Sequence, residues 1–230
     1  MRLADAVAEA DRVLGAGLQE LTEDSRLSVL PPEEVDQWDL PQDGRKVLRT
    51  YGLPPIEEKD DPQDVVRRCQ TGAQPELEYR GIRYYALGLL DPHHPTRVGV
   101  RAGSGEVFAV PSSDTEIPAS MRDRFPDGLA PRLLNSGVPQ FVEFSWRWYR
   151  LIPIFAHLVD QESHAEQVYL DMLRSDPVSI PRDEVRNFYD NFRADVKSLG
   201  EHVLSAFAHI DPAAATHADS YWRREILDWS

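Results

Sequence analysis

Gly81-Ile82-Arg83-Tyr84-Tyr85-Ala86-Leu87-Gly88-Leu89-Leu90, then Arg97-Val98-Gly99-Val100-Arg101, then Glu106-Val107-Phe108-Ala109-Val110: these three runs decide the fold. Each is short, rich in β-branched and aromatic residues, and bounded by turn formers, as a strand is. Ala102-Gly103-Ser104-Gly105 joins the second run to the third and has the length and glycine content of a hairpin linker. Arg80-Gly81 predicts a tight turn back to Leu77-Glu78-Tyr79. Downstream, Leu133-Leu134-Asn135-Ser136-Gly137 leads into a helix from Val138 that carries Phe141, Phe144, Trp146 and Trp148. The reading is an α+β fold, with an antiparallel or mixed sheet flanked by helices and a helical C-terminal part. The strands at 82–90, 97–101 and 106–110 should be consecutive antiparallel neighbours, and the helix from about 138 should pack on one face.

Outward from the sheet, residues 3–19 place Leu3, Val7, Ala10, Leu14 and Leu18 at helical spacing. Leu27-Ser28-Val29-Leu30 reads as an extended piece stopped by Pro31-Pro32. A helix should begin at Asp39-Leu40-Pro41, bury Val47, Leu48 and Tyr51, and end at Gly52, with Pro54 and Pro55 blocking continuation. Residues 57–64 form a polar acidic loop, and the aperiodic, proline-bearing span 111–132 predicts a long surface loop. Ser136 is a candidate cap for the aromatic helix, and Pro153 should kink or end it. Beyond Ala156 the apolar stripes are helical: Val168, Tyr169, Met172, Leu173; then Val185, Phe188, Tyr189, Phe192; then Val196, Leu199, Val203, Leu204, Phe207. The tail from Ile210-Asp211-Pro212 through Tyr221-Trp222 to Trp229 reads as one last capped helix. No Gly/Ser-rich linker divides the chain, so a single domain over 1–230 is expected, with its sheet core at about 77–110.

The composition supports a sizeable core: 230 residues, 41% of them hydrophobic. There are 39 acidic against 25 basic side chains, a formal net charge of −14. That balance argues against nucleic-acid binding, which needs basic groups to displace phosphate counterions. It suits solubility or fast docking onto a basic partner. Cys69 is the one cysteine, so one chain can form neither a disulfide framework nor a cysteine-based metal site. Its neighbours carry no nucleophile signature, which favours a structural cysteine. The N-terminal stretch is amphipathic and charged, with no apolar h-region, and no run approaches the roughly 20 apolar residues of a membrane span. A cytoplasmic protein without membrane attachment is expected.

Candidate chemistry is sparse. Gly103-Ser104-Gly105 lies between two strands and lacks the Gly-x-x-x-x-Gly-Lys pattern of a phosphate loop, so the hairpin reading is preferred. His93-His94 are adjacent in a loop; His157/His164 and His202/His209 are spaced by seven, whereas zinc helices use four with a glutamate between. Ser112, Ser113 and Ser136 lack a nucleophile elbow. Glu57-Glu58 and Asp60-Asp61 could be paired carboxylates, yet a polar loop does not separate their pKa values as acid–base catalysis requires. The aromatic helix is either core or a ligand-stacking box; because Trp146 and Trp148 cannot face the same way, one of them could line a groove. No catalytic residue, cofactor or metal ligand is assigned.

Several short motifs together resemble the SUKH superfamily of bacterial immunity proteins, related to the yeast Smi/Knr cell-wall-synthesis regulator domain, and most specifically its fourth subgroup. The motifs are Gly52-Leu53-Pro54 after a helix; the strand Tyr85-Ala86-Leu87-Gly88-Leu89; Val98-Gly99-Val100 with Gly105-Glu106-Val107; Leu134-Asn135-Ser136 leading to Phe141 and Phe144; and Ile210-Asp211-Pro212 with Trp222. The resemblance covers about residues 45–225. It implies an α+β fold, no catalytic residues, and a function of binding and neutralising a protein toxin, commonly a nuclease or nucleic-acid deaminase. An acidic inhibitor of such a basic toxin would mimic phosphate and associate quickly. The expected contacts are Glu57, Glu58, Asp60, Asp61, Asp114 and Glu116, acids of loops at sheet edges where binding surfaces tend to sit. An enzyme with a site dispersed over loops, or a regulatory interaction domain with no toxin partner, are the competing readings.

Overall fold

The computed structural model describes residues 3–23, 30–55, 75, 77–89, 97–111, 129–175 and 182–227. Four helices precede the sheet: α1 (Leu3–Gly15), α2 (Leu18–Thr22), α3 (Pro32–Val35) and α4 (Gln42–Tyr51). The strands are β1 (Leu77–Tyr79), β2 (Ile82–Leu89), β3 (Arg97–Arg101), β4 (Val107–Val110) and β5 (Arg132–Asn135). Helices α5 (Val138–Ser175), α6 (Arg182–Ile210), α7 (Pro212–Ala215) and α8 (Tyr221–Leu227) follow. The chain divides into two compact units, residues 18–146 and residues 1–17 with 147–230.

The first unit holds the sheet, a five-stranded antiparallel meander in the order β1-β2-β3-β4-β5. The expected consecutive antiparallel strands are present. Arg80 and Gly81 both take positive φ, 49° and 81°, as a type I′ turn requires, and Tyr79 faces Ile82 across it. Between β3 and β4 the Arg101 N–H donates to the Glu106 carbonyl (2.9 Å), and the Gly105 N–H donates to the Arg101 carbonyl (3.0 Å). β5 was not expected. Its Leu133 and Asn135 pair with Phe108 and Val107, leaving Leu134 as a bulge residue that is fully buried. Four residues after a proline carry too little alternation to be read as a strand; pairing with β4 makes them one.

The α3–α4 connection is clamped to the sheet. The Trp38 ring stacks on Tyr85 with centroids 4.7 Å apart and planes 14° apart. The Asp39 N–H donates to the Tyr85 hydroxyl (2.8 Å), and the Asp39 carbonyl accepts from the Gly103 N–H (2.7 Å). Pro41 lies against Gly105, so close that a Cβ there would sit 2.9 Å from Pro41 Cδ. α4 begins directly after Pro41 and ends at Gly52, as the sequence predicts, with the Gly52 N–H returning to the Leu48 carbonyl. Pro32, read as a stop, instead occupies the first turn of α3, where its missing N–H costs nothing.

The first turns of α5 belong to this unit, and their aromatics are core: Phe141, Phe144 and Trp146 are each at most 1% exposed. The Trp146 indole N–H donates to the buried Gly52 carbonyl (3.2 Å). α5 opens two residues after Ser136, with the Phe141 N–H donating to the Gly137 carbonyl (3.1 Å). Ser145 is buried in the same stretch and its hydroxyl has no hydrogen-bond partner.

The second unit is helical. Ala6, Ala10 and Val13 form the buried stripe of α1, which packs against α6. The buried Arg147 guanidinium donates to the Val13 carbonyl (2.8 Å) and to that of Leu14, satisfying carbonyls at the end of α1. Pro153 does not end α5. It is exposed, while Leu151, Ile154, Phe155 and Leu158 around it are buried; their burial outweighs the roughly 3 kcal/mol that an interior proline costs. Val196, Leu199, Val203, Leu204 and Phe207 are buried as expected. The tail is two helices, not one. The Asp211 carboxylate accepts from the Ala214 N–H (3.3 Å) to cap α7, and the Ser220 hydroxyl accepts from the Arg223 N–H (3.0 Å) to cap α8. The side chains of the stripes at 168–173 and 185–192, and the pieces at 27–29 and 57–64, lie outside the described residues.

Two stability predictions follow from these contacts. Gly105→Ala forces a side chain into φ +77° and against Pro41, whereas Gly81→Ala meets only its φ of +81°, with nothing within 4 Å. The second should cost roughly 1–2 kcal/mol of left-handed strain, and the first should add about 1–3 kcal/mol of overpacking. Denaturant titration of both variants measures the difference; equal losses would show that Pro41 yields. Ser145→Ala removes an unsatisfied buried hydroxyl, whose desolvation costs about 1–3 kcal/mol. Its melting temperature should equal or exceed that of the parent, and a clear drop would reveal a hidden partner.

Candidate partner-binding surface

Strand alternation gives the sheet two unlike faces. Tyr85, Val98, Val100, Val107 and Ala109 are register partners on one face, and all are buried. The other face carries Leu77, Tyr79, Ile82, Tyr84, Gly99, Phe108 and Leu133, joined by Arg97 opposite Val110 and Arg101 opposite Tyr84. Here Leu77, Tyr79, Ile82, Phe108 and Leu133 are only half-buried, and Arg97 is exposed. The centre is tight: Tyr84 and Phe108 meet edge to face at 5.7 Å, and a Cβ on Gly99 would come within 3.0 Å of both Val110 and Tyr84. This face is an apolar, aromatic floor, open at its periphery and carrying cations.

Its polar groups are ordered. Arg101 Nη1 lies 3.2 Å from Glu106 Oε2, which also accepts from the Ser104 hydroxyl at 2.9 Å. Arg80 stands over the Tyr79 ring, 5.4 Å from its centroid. Burial pushes the Tyr84 hydroxyl above its ordinary pKa; Arg101 opposes the shift, while Glu106 and Tyr79 reinforce it. Across the described sheet segments, 77–89, 97–111 and 129–135, five arginines stand against two glutamates. By register Arg97 and Arg101 share this face, whereas Arg83, opposite Glu78, and Arg132, opposite Ala109, belong to the other.

None of the acids expected at the interface can be placed on this surface. Glu57, Glu58, Asp60, Asp61, Asp114 and Glu116 lie outside the described residues, as do Cys69, His93, His94, Ser112 and Ser113. The described histidines are separately engaged. His202 Nε2 is 2.6 Å from Asp11 Oδ1, His157 contacts Gln161 (3.2 Å), and His209 Nδ1 donates to the Ser205 carbonyl (2.7 Å). Among the described residues no group of three or more His, Cys, Asp or Glu could hold a metal ion. The expectation that one of Trp146 and Trp148 lines a groove is overturned: both are buried, and Trp148 packs edge to face on Phe155 at 5.4 Å. Two tryptophans on different sides of a helix can both be covered when the helix is buried on more than one side.

No helix among the described residues is long and apolar enough to cross a membrane. The model of one protein family, described as SUKH-4 immunity protein, matches residues 6–228. Neither the curated proteins nor the solved structures yield a match.

The raised Tyr84 pKa has a sign that can be measured. Because the folded state holds this proton more tightly than the unfolded chain, the stability it contributes is complete below pH 10.0, the ordinary tyrosine value, and is lost as pH rises above it. Ultraviolet titration should show a late-ionising tyrosine that disappears in Tyr84→Phe, and that variant should lose less stability between pH 10 and 11. A tyrosine titration unchanged by the substitution would place Tyr84 in water.

Proposed function

The chain belongs to the SUKH-4 immunity protein family, and we propose that it neutralises a cognate toxin by binding it stoichiometrically, with no catalytic step of its own. The observation that carries this reading is a single family match over residues 6–228, which extends into both compact units. We accordingly treat the whole span as one immunity module acting in the cytoplasm, where a delivered toxin meets its target.

The toxin class, a nuclease or nucleic-acid deaminase, is the one the family resemblance implies, and the charge of the chain supports it. A nuclease or nucleic-acid deaminase presents a basic surface to its phosphate-rich substrate. A chain with 39 acidic and 25 basic residues is attracted to such a surface from a distance, raising the encounter rate and competing with nucleic acid for it. Glu57, Glu58, Asp60, Asp61, Asp114 and Glu116 are the proposed steering acids. This role needs only that they be near the rim, because long-range attraction depends on summed charge more than on pairing geometry.

Purified protein should bind the toxin domain encoded beside it, with an association rate that falls as salt rises, since charges beyond about 8 Å are screened at physiological ionic strength. Reversal of all six acids should slow association and weaken protection of cells expressing the toxin. Unaltered rates and full protection would remove these acids from the encounter. A parent protein that does not bind would sink the immunity reading for that toxin.

A further inference from the structure

We propose that the half-open face of the sheet, where Ile82, Phe108 and Leu133 are partly in solvent and Arg97 and Arg101 flank them, is where the cognate toxin seats, through an apolar patch of the toxin bordered by carboxylates. The inference rests on the immunity reading and adds to it the contact surface and the chemistry of the opposing side.

Three observations converge on it. The two sheet faces differ at their margins: Val98, Val100 and Val107 on one are at most 1% exposed, while on the other Ile82, Phe108 and Leu133 keep part of their surface in solvent around a buried centre of Tyr84, Ala86 and Val110. The half-open face combines aromatic rings with arginines, the residue types that dominate the energetic centres of protein interfaces. Two arginines, Arg97 and Arg101, share that face by register, cationic groups in a chain whose net charge is −14. Arginine matches a carboxylate in planar geometry, and Arg101 already holds one, that of Glu106, at 3.2 Å. Arg97 lies on the same face of β3 as Arg101 and is exposed. A partner carboxylate bound there would be the counterpart of the Arg101–Glu106 pair.

Steering and seating therefore take opposite signs. The acidic chain draws in a basic toxin, and the arginines of this face, Arg97 above all, hold acidic groups of that toxin once it arrives. This opposition gives a test in which a generic electrostatic effect and a specific contact move the result in different directions. Arg97→Glu makes the chain more acidic, so long-range attraction to a basic toxin would increase. Lys197→Glu, at an exposed position of α6, changes the net charge by the same amount and serves as the control.

Binding to the toxin domain encoded beside this chain is measured by surface plasmon resonance for the parent, Arg97→Glu, Arg97→Ala and Lys197→Glu, with circular dichroism confirming the fold of each. Arg97→Glu should raise Kd at least tenfold, mainly through faster dissociation, with Arg97→Ala intermediate and Lys197→Glu no weaker than the parent. Arg97→Glu binding as tightly as Lys197→Glu would overturn the seating proposal while leaving the immunity reading intact. A loss in Arg97→Glu of self-association seen in the parent, without a change in toxin affinity, would assign the face to a second copy and equally overturn it. Absence of binding by the parent would overturn both.

Discussion

The stacking of Trp38 on Tyr85 fixes which side of the sheet is inside. These rings lie 4.7 Å apart, and the same connection ties the Asp39 backbone to the Tyr85 hydroxyl and to Gly103. Such a ring pair contributes about 0.5–1.5 kcal/mol beyond the area it buries, and each hydrogen bond adds about 0.5–1.5 kcal/mol. Its larger consequence is directional. In a strand, successive side chains point to opposite faces, so covering Tyr85 turns Tyr84 to the other side. The register then places Val98, Val100 and Val107 beneath the covered face, and Arg97, Arg101 and Phe108 on the open one. A slip of one residue would exchange the two sets, burying arginines and exposing valines. Pro41 against Gly105 holds the β3–β4 turn to the same connection.

Much of this architecture is legible along the chain because its signals are local. The alternation of β2 to β4, the Arg80-Gly81 turn and the glycine linker at 102–105 each lie within a few residues, and α4 announces both its ends. β5 and α3 are not legible for different reasons. Arg132-Leu133-Leu134-Asn135 becomes a strand through a partner some 25 positions away in sequence, with a bulge that disrupts its period. Pro31-Pro32 carries one meaning as a helix stop and another as a helix start, and the docking of Trp38 selects the second. Ser220 as a cap divides the tail, and a serine among so many polar residues is not conspicuous.

The candidate surface was harder to read. Net charge directs attention to acidic loops, because acids are abundant and clustered there in sequence. The arginines at 80, 83, 97, 101 and 132 are scattered along the chain, and strand pairing alone gathers them into one sheet. One signal was available: Arg97 and Arg101 stand four apart in a strand with Gly99 between them, which puts them on one face around a residue without a side chain. A total charge of −14 does not say where single cations stand, and the total governs approach while Arg97 and Arg101 bear on contact.

The proposed seat on the face of Arg97 and Arg101 can be tested through its burial on binding, without any substitution. Arginine modification by a dicarbonyl reagent, read by mass spectrometry before and after addition of the toxin domain encoded beside the chain, reports that burial residue by residue. Reactivity at Arg97 should fall in the complex, while that at the exposed Arg174 of α5 stays as it was. Arg97 remaining as reactive in a saturated complex as in the isolated chain would contradict the account.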